Sequence, residues 1–194
     1  MKKLLLSLAA AALVIAACDK PKTVHIADFT ASYPSSFEIM HQEDNFPNSA
    51  ALYLQSADGE QLAMNSIVYY SDAELEYLDE AYEGIEHFLE NKIIELFDHL
   101  DRGELLPGFA VEDIDDEVKS DDNGVGRLYC NGTYGDDNMP WKGGIIIFLN
   151  NGALVKQLAI ADTDAQVNAL FKIAQDIEFD PHEGSYETDE SIAE

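Results

Sequence analysis

The chain has 194 residues, with 38 aspartates and glutamates against 11 lysines and arginines, a formal net charge of −27. That excess argues against nucleic acid as a partner and against electrostatic adhesion to anionic head groups. It suits a basic protein partner, diffusely held divalent cations, or plain solubility in a saline habitat.

Met1-Lys2-Lys3 gives a short positive start, and residues 4–13 form an uncharged apolar run too short for a comfortable membrane span. Small residues follow, the layout of a secretory signal cleaved between Ala17 and Cys18. Ile15-Ala16-Ala17-Cys18 resembles the lipobox of bacterial lipoproteins. The resemblance implies removal of residues 1–17 as a signal peptide, a diacylglycerol thioether on Cys18 and acylation of the new amine. Residues 18–22 are then a lipidated tether to the membrane. One acyl chain binds a membrane marginally, whereas two or three hold firmly, at about 0.8 kcal/mol per buried CH2. The alternative is an ordinary signal with Cys18 as a free or paired thiol. Asp19 resembles the residue that retains enterobacterial lipoproteins in the inner membrane, an inference that Lys20 weakens. The expected location is the bacterial cell envelope, facing the periplasm, with the inner membrane favoured over the outer. Loss of Lys2 and Lys3 takes the charge to −29. Cys130 then stands alone in an oxidising compartment, so the domain must hold without a disulfide.

Residues 23–180 are expected to form a single α+β domain. Residues 23–29 suggest a short strand, and Tyr33-Pro34-Ser35-Ser36 a turn into extended chain, with Pro34 at the corner. Residues 41–48 are polar, contain Pro47, and are expected to be a loop. Residues 50–55 and 61–70 predict a hairpin about Asp58-Gly59. Within its second strand Leu62, Met64, Ser66, Val68 and Tyr70 share one face, and Ala63, Asn65, Ile67 and Tyr69 the other. Ser71 with Glu74 is a capping box, opening one long helix to about Asp101. Leu75, Leu78, Tyr82, Ile85, Leu89, Leu96 and Leu100 make its stripe, widened by Phe88, Ile93 and Phe97; Gly84 weakens the middle. Glu76, Asp79, Glu83, Glu86 and Glu90 occupy the opposite face, so this helix depends on tertiary packing.

Residues 109–118 are strand-like but acidic, 120–124 a turn, and 125–134 a strand with Leu128, Cys130 and Tyr134 on one face. Residues 135–142, containing Met139-Pro140-Trp141, are expected to be an irregular loop. Ile145 to Leu149 is a continuous apolar run, as in a strand covered on both sides, and it turns at Asn151-Gly152 into a partner at 153–161. Thr163 with Gln166 is a second capping box, opening a closing helix with the stripe Val167, Leu170, Phe171, Ala174 and Ile177. Residues 181–194 are acidic, without periodicity, and expected to be a disordered tail.

This order predicts an antiparallel sheet with one long and one C-terminal helix packed on it, an α/β/α sandwich. The Tyr33-Pro34…Phe37 entry resembles the start of PsbP-like domains. So does the passage from the last hairpin through Ala161-Asp162-Thr163 into a helix ending in Asp176-Ile177-Glu178-Phe179. DcrB-type envelope lipoproteins share that resemblance. It implies a non-enzymatic accessory role, binding other proteins or assisting their assembly, and brings no residue roles or cofactor.

Five candidate chemistries can be weighed against simpler readings. Glu112 to Glu117 with Asp121-Asp122-Asn123-Gly124 invites a calcium loop, but its first ligand would be Lys119 and its last Cys130. A solvated strand edge fits better. Glu83, His87 and Glu90, and likewise Glu95 and His99, are spaced for a metal on one helix face, without a His-Glu-x-x-His pattern or a second helix to complete the set. Cys130 lacks a Cys-x-x-Cys partner and is expected to be a buried, inert thiol. No Gly-x-Ser-x-Gly elbow is present, and the five histidines fall in unrelated contexts. Tyr134, Met139 and Trp141 form the best candidate for partner binding, against the reading that Trp141 simply caps the core. The function expected is that of a membrane-anchored, non-enzymatic binding or assembly module. The alternatives are a metal-dependent or hydrolytic envelope enzyme and a passive acidic lipoprotein.

Overall fold

The computed structural model describes residues 20–114, 119–120, 124–134 and 139–180. The expected signal peptide, Cys18 and the acidic tail lie outside them, as do most of the residues considered for a calcium loop. Among the described residues no helix is long and apolar enough to cross a membrane.

The molecule is built on one hairpin. β9 (Met139–Asn150) and β10 (Ala153–Ala161) pair antiparallel from Ala153↔Asn150 to Ala161↔Lys142. Asn151 and Gly152, with φ of 50° and 79°, make the tight two-residue connection that suits the twist of the strands. Along β9, Ile145 and Ile147 join one buried cluster and Ile146 and Phe148 another, so this strand is covered on both sides. Each such side chain contributes about 1.5–3 kcal/mol on burial.

The sheet extends from this centre in both directions. On one side lie β5 (Leu62–Tyr69), β4 (Ser49–Ser56) and β3 (Phe37–Asn45); on the other, β8 (Gly126–Tyr134) and β6 (Phe109–Ile114). The order is β3-β4-β5-β10-β9-β8-β6, with the short β7 (Lys119–Ser120) also pairing β8, and every pairing is antiparallel. A second small sheet, order β1-β2-β11, joins β1 (Lys22–Ile26) and β2 (Phe29–Tyr33) to β11 (Glu178–Phe179).

Helices cover the main sheet on opposite faces. α1 (Asp72–Ala81) leads into α2 (Ile85–Asp101), which packs on β9, β8 and β6. α3 (Asp164–Gln175) packs on β10 and β9 from the other side and reaches β2. Glycines in the strands permit this close approach. A Cβ on Gly144 would lie 2.6 Å from Phe171 and 2.7 Å from Val167, and one on Gly126 would lie 2.5 Å from Ile93. The result is the expected α+β sandwich, helix on sheet on helix.

One polar group is set into the α3 side. Asn65 and Gln157 face each other across β5 and β10, both essentially sealed from solvent. Gln157 Nε2 donates to Asn65 Oδ1 (2.9 Å) and to the Leu170 carbonyl of α3 (3.1 Å), and Asn65 Nδ2 donates to the Leu52 carbonyl of β4 (3.1 Å).

Several sequence expectations are corrected. The single long helix is two helices. Glu83 and Gly84 take φ of 57° and 134° between them, and the Ile85 N–H that opens α2 donates to Asp79 Oδ1 at 2.9 Å. The Ser71–Glu74 capping box opens only α1. Gly84→Ala therefore tests the break by its sign. In a continuous helix alanine would stabilise by about 1 kcal/mol; at this backbone geometry it is expected to destabilise by about 1–3 kcal/mol, read from thermal unfolding. Residues 41–45 belong to β3, an edge strand with a bulge between Ile39 and His41. The strand expected over residues 23–29 is present as β1 but ends at Ile26, where Ala27-Asp28 turns the chain into β2 at Phe29. α3 stops at Gln175, and Glu178-Phe179 crosses to pair with β2.

Candidate functional site

Tyr134, Met139 and Trp141 lie where β8 passes to β9. The expectation of a loop here fails for residues 139–142, which are ladder residues of β9: Tyr134 pairs with Met139 and Gly132 with Trp141. Pro140 is tolerated because it lies beyond the last β10 pair, where one side of the strand has no neighbour. Residues 135–138 lie outside the described set.

Strand alternation puts all three side chains on the α2 face of the sheet. Tyr134 and Trp141 meet edge to face, with centroids 5.7 Å apart and planes at 82°. Both pack against the cluster containing Phe109, Leu128 and Cys130. A Cβ on Gly132 would strike the Ala110 carbonyl at 2.5 Å and the Phe109 ring at 2.6 Å, so glycine keeps the floor of this aromatic corner flat. Met139, opposite Tyr134 in the ladder, takes no part in this buried cluster and is 58% exposed. Trp141 therefore closes the core layer, while Met139 carries the apolar surface outward.

The acidic face is present: Glu76, Asp79, Glu83, Glu86 and Glu90 are all exposed. It is divided by the break at Gly84, which removes Glu83 from the helical phase of His87 and Glu90. His87 Nδ1 instead lies 3.3 Å from the Glu83 carbonyl. Glu95 is taken by Lys92 at 2.6 Å, and His99 by Glu104 at 2.5 Å. The expected metal spacing is thus not assembled by these side chains. Among the described residues no three His, Cys, Asp or Glu side chains cluster with metal-holding geometry.

Cys130 sits where the sequence placed it, in phase with Leu128 and 5% exposed. The ideal Cβ position of Gly143 is 2.6 Å from its sulfur. Burial pushes the thiol up to about 11. A thiol so raised is neutral near pH 7 and a poor nucleophile.

Sequence reasoning passed over Lys156. It is the one charged residue of β10, in step with Leu154, Leu158 and Ile160 on an inward-facing row. That position within an apolar alternation was the available signal.

The sequence matches no family model, and it matches no curated protein. Among solved structures, the chain is similar to the cyanobacterial PsbP protein CyanoP of Synechocystis sp. PCC 6803, at 12% identity over 84% of this chain and 95% of that one, with a TM-score of 0.43. It is similar also to LpqN of Mycobacterium tuberculosis, a protein involved in cell envelope biogenesis, at 15% identity over 84% of this chain and 91% of that one, with a TM-score of 0.34. The α+β class is read from this chain's own strand order and helix placement.

Proposed function

We propose that this is an acyl-anchored protein of the bacterial cell envelope that acts as a non-enzymatic binding or assembly module for a basic protein partner. Cys18 carries the lipid, and the domain meets its partner at the membrane surface. The observation that carries the reading is Met139, 58% exposed beside the Tyr134–Trp141 pair on a molecule of net charge −27. An exposed thioether opposite Tyr134 in the ladder offers an adaptable apolar contact. The chain's excess of carboxylates speeds encounter with a basic surface and turns away nucleic acid.

Crosslinking in intact membranes followed by recovery of the tagged chain is expected to return a basic protein in stoichiometric amount. Met139→Ser removes the apolar contact without opening the core, and should weaken recovery about ten-fold. Trp141→Ala should weaken it too, at a cost in stability. Unchanged recovery from Met139→Ser would reject this surface. Mass spectrometry of the N-terminus decides the anchor separately: an acylated Cys18 is expected, and a bare thiol or a chain beginning at Met1 overturns it.

A further inference from the structure

α2 covers only part of its side of the main sheet. It lies over β9, β8 and β6. Beside it a cleft opens, floored by Met64, Ile145 and Leu158 and walled by Leu96 and Leu105. Its cavity volume is about 60 Å³. That is room for roughly five water molecules, so an occupant must be small and slender.

Lys156 also lines this cleft. In the ladder it lies between Ser66 of β5 and Ile147 of β9, and Ser66 and Tyr53 bring hydroxyl groups to the same lining. No ion pair within 4.0 Å includes Lys156 among the described residues. The charges nearest it are Lys92 and Glu95 of α2, but those two hold each other at 2.6 Å. Lys156 is thus an inward-facing ammonium with no direct counter-charge among the described residues, against an apolar wall. Withdrawing a cation from water without a partner is costly. Burial accordingly lowers the ammonium's proton affinity, and Lys92 adds to the effect.

We propose that the cleft binds a small amphiphilic anion, a carboxylate on a short aliphatic chain, with its head group on Lys156 and its chain along Met64, Leu96, Leu105, Ile145 and Leu158. The ligand supplies the charge that the protein withholds, and its chain buries apolar surface the sheet leaves open. One compact ammonium and flanking hydroxyls suit a monoanion. The strongly negative surroundings disfavour a dianion. This site is independent of the Met139 surface and of the proposed anchor.

The test uses the full chain carrying Cys18→Ser, so that no acyl group of its own competes. It is titrated with octanoate, with 1-octanol as the uncharged chain and acetate as the head alone, followed by calorimetry and by backbone amide shifts of β5 and β10. Octanoate is expected to bind saturably and to shift those amides, more tightly than octanol and far more tightly than acetate. Lys156→Met should weaken octanoate about ten-fold or more, the loss of a charge-assisted contact, and leave octanol unchanged. Lys156→Gln serves the same purpose should the methionine variant not fold. Leu96→Trp should fill the cleft and abolish both. Equal octanoate binding in the wild type and the Lys156 variants, or no saturable binding of octanoate, overturns the proposal.

Discussion

Phe171→Ala is expected to destabilise the fold by about 3–5 kcal/mol, the largest effect of any single change considered. Phe171 is 1% exposed, fills the space between α3 and the sheet, and meets the Tyr129 ring at 5.8 Å. The cost arises because its neighbours are fixed to the sheet backbone and cannot close the void. In a domain of this size that is on the order of 10 °C in Tm. The same contact acts in reverse at Gly144, whose missing Cβ would lie 2.6 Å from the ring. Gly144→Ala should cost about 1–3 kcal/mol by overpacking. The two changes should not add: alanine at 144 fits the void left at 171, so the double variant should recover roughly 1 kcal/mol or more of the summed cost. Urea unfolding of all four proteins checks this, and strict additivity would mean that helix and sheet do not touch as described.

The second large effect is a pH dependence centred on Cys130. Its thiol is pushed from an ordinary value of 9.0 to about 11, chiefly by burial. In the unfolded chain the thiol loses its proton near the ordinary value, and in the fold only near the raised one. Stability from keeping it neutral is therefore complete below about pH 9 and is lost as pH rises to about 11. Two units correspond to about 2–3 kcal/mol. Because tyrosines and lysines titrate in the same range, the measurement is a difference. Unfolding free energies of the wild type and Cys130→Ala are compared at pH 8 and pH 11, and the wild type should lose about 2–3 kcal/mol more than the variant. Parallel curves would show that the thiol meets solvent.

The parts legible in the sequence are those where pattern and environment agree. The Ile145 to Leu149 run and the Asn151-Gly152 turn identify β9 and β10 because that hairpin is buried on both faces. The alternation in residues 62–70 is legible because its two faces meet different cores. Only the start of β3 was legible, as extended chain after Pro34; residues 41–45 were not, since eight of the strand's nine residues are exposed and an edge held by backbone pairing alone leaves no apolar rhythm. The β1–β2 turn was hidden because Ala27, rather than a glycine or asparagine, takes the positive φ of 53°. The helix break was half visible: Gly84 marks the place, but the decisive partner, the Asp79 carboxylate on the Ile85 N–H, is a tertiary detail. At the candidate site, Met139-Pro140-Trp141 resembled a loop because proline and mixed polarity conceal a strand end. Lys156 was overlooked because a lone lysine in a strand is ordinarily solvated.

The amide pair of Asn65 and Gln157 has a consequence for folding fidelity. Apolar alternation in β5 and β10 forbids a slip by one residue, which would turn every inward side chain outward. It does not forbid a slip by two, because Ala63, Ile67, Val155 and Ala159 could exchange neighbours and stay dry. A two-residue slip would part the amides and leave the buried Asn65 Oδ1 without its donor, at about 1–3 kcal/mol. Two uncharged side chains thus act as a key that admits one alignment of otherwise interchangeable greasy strands.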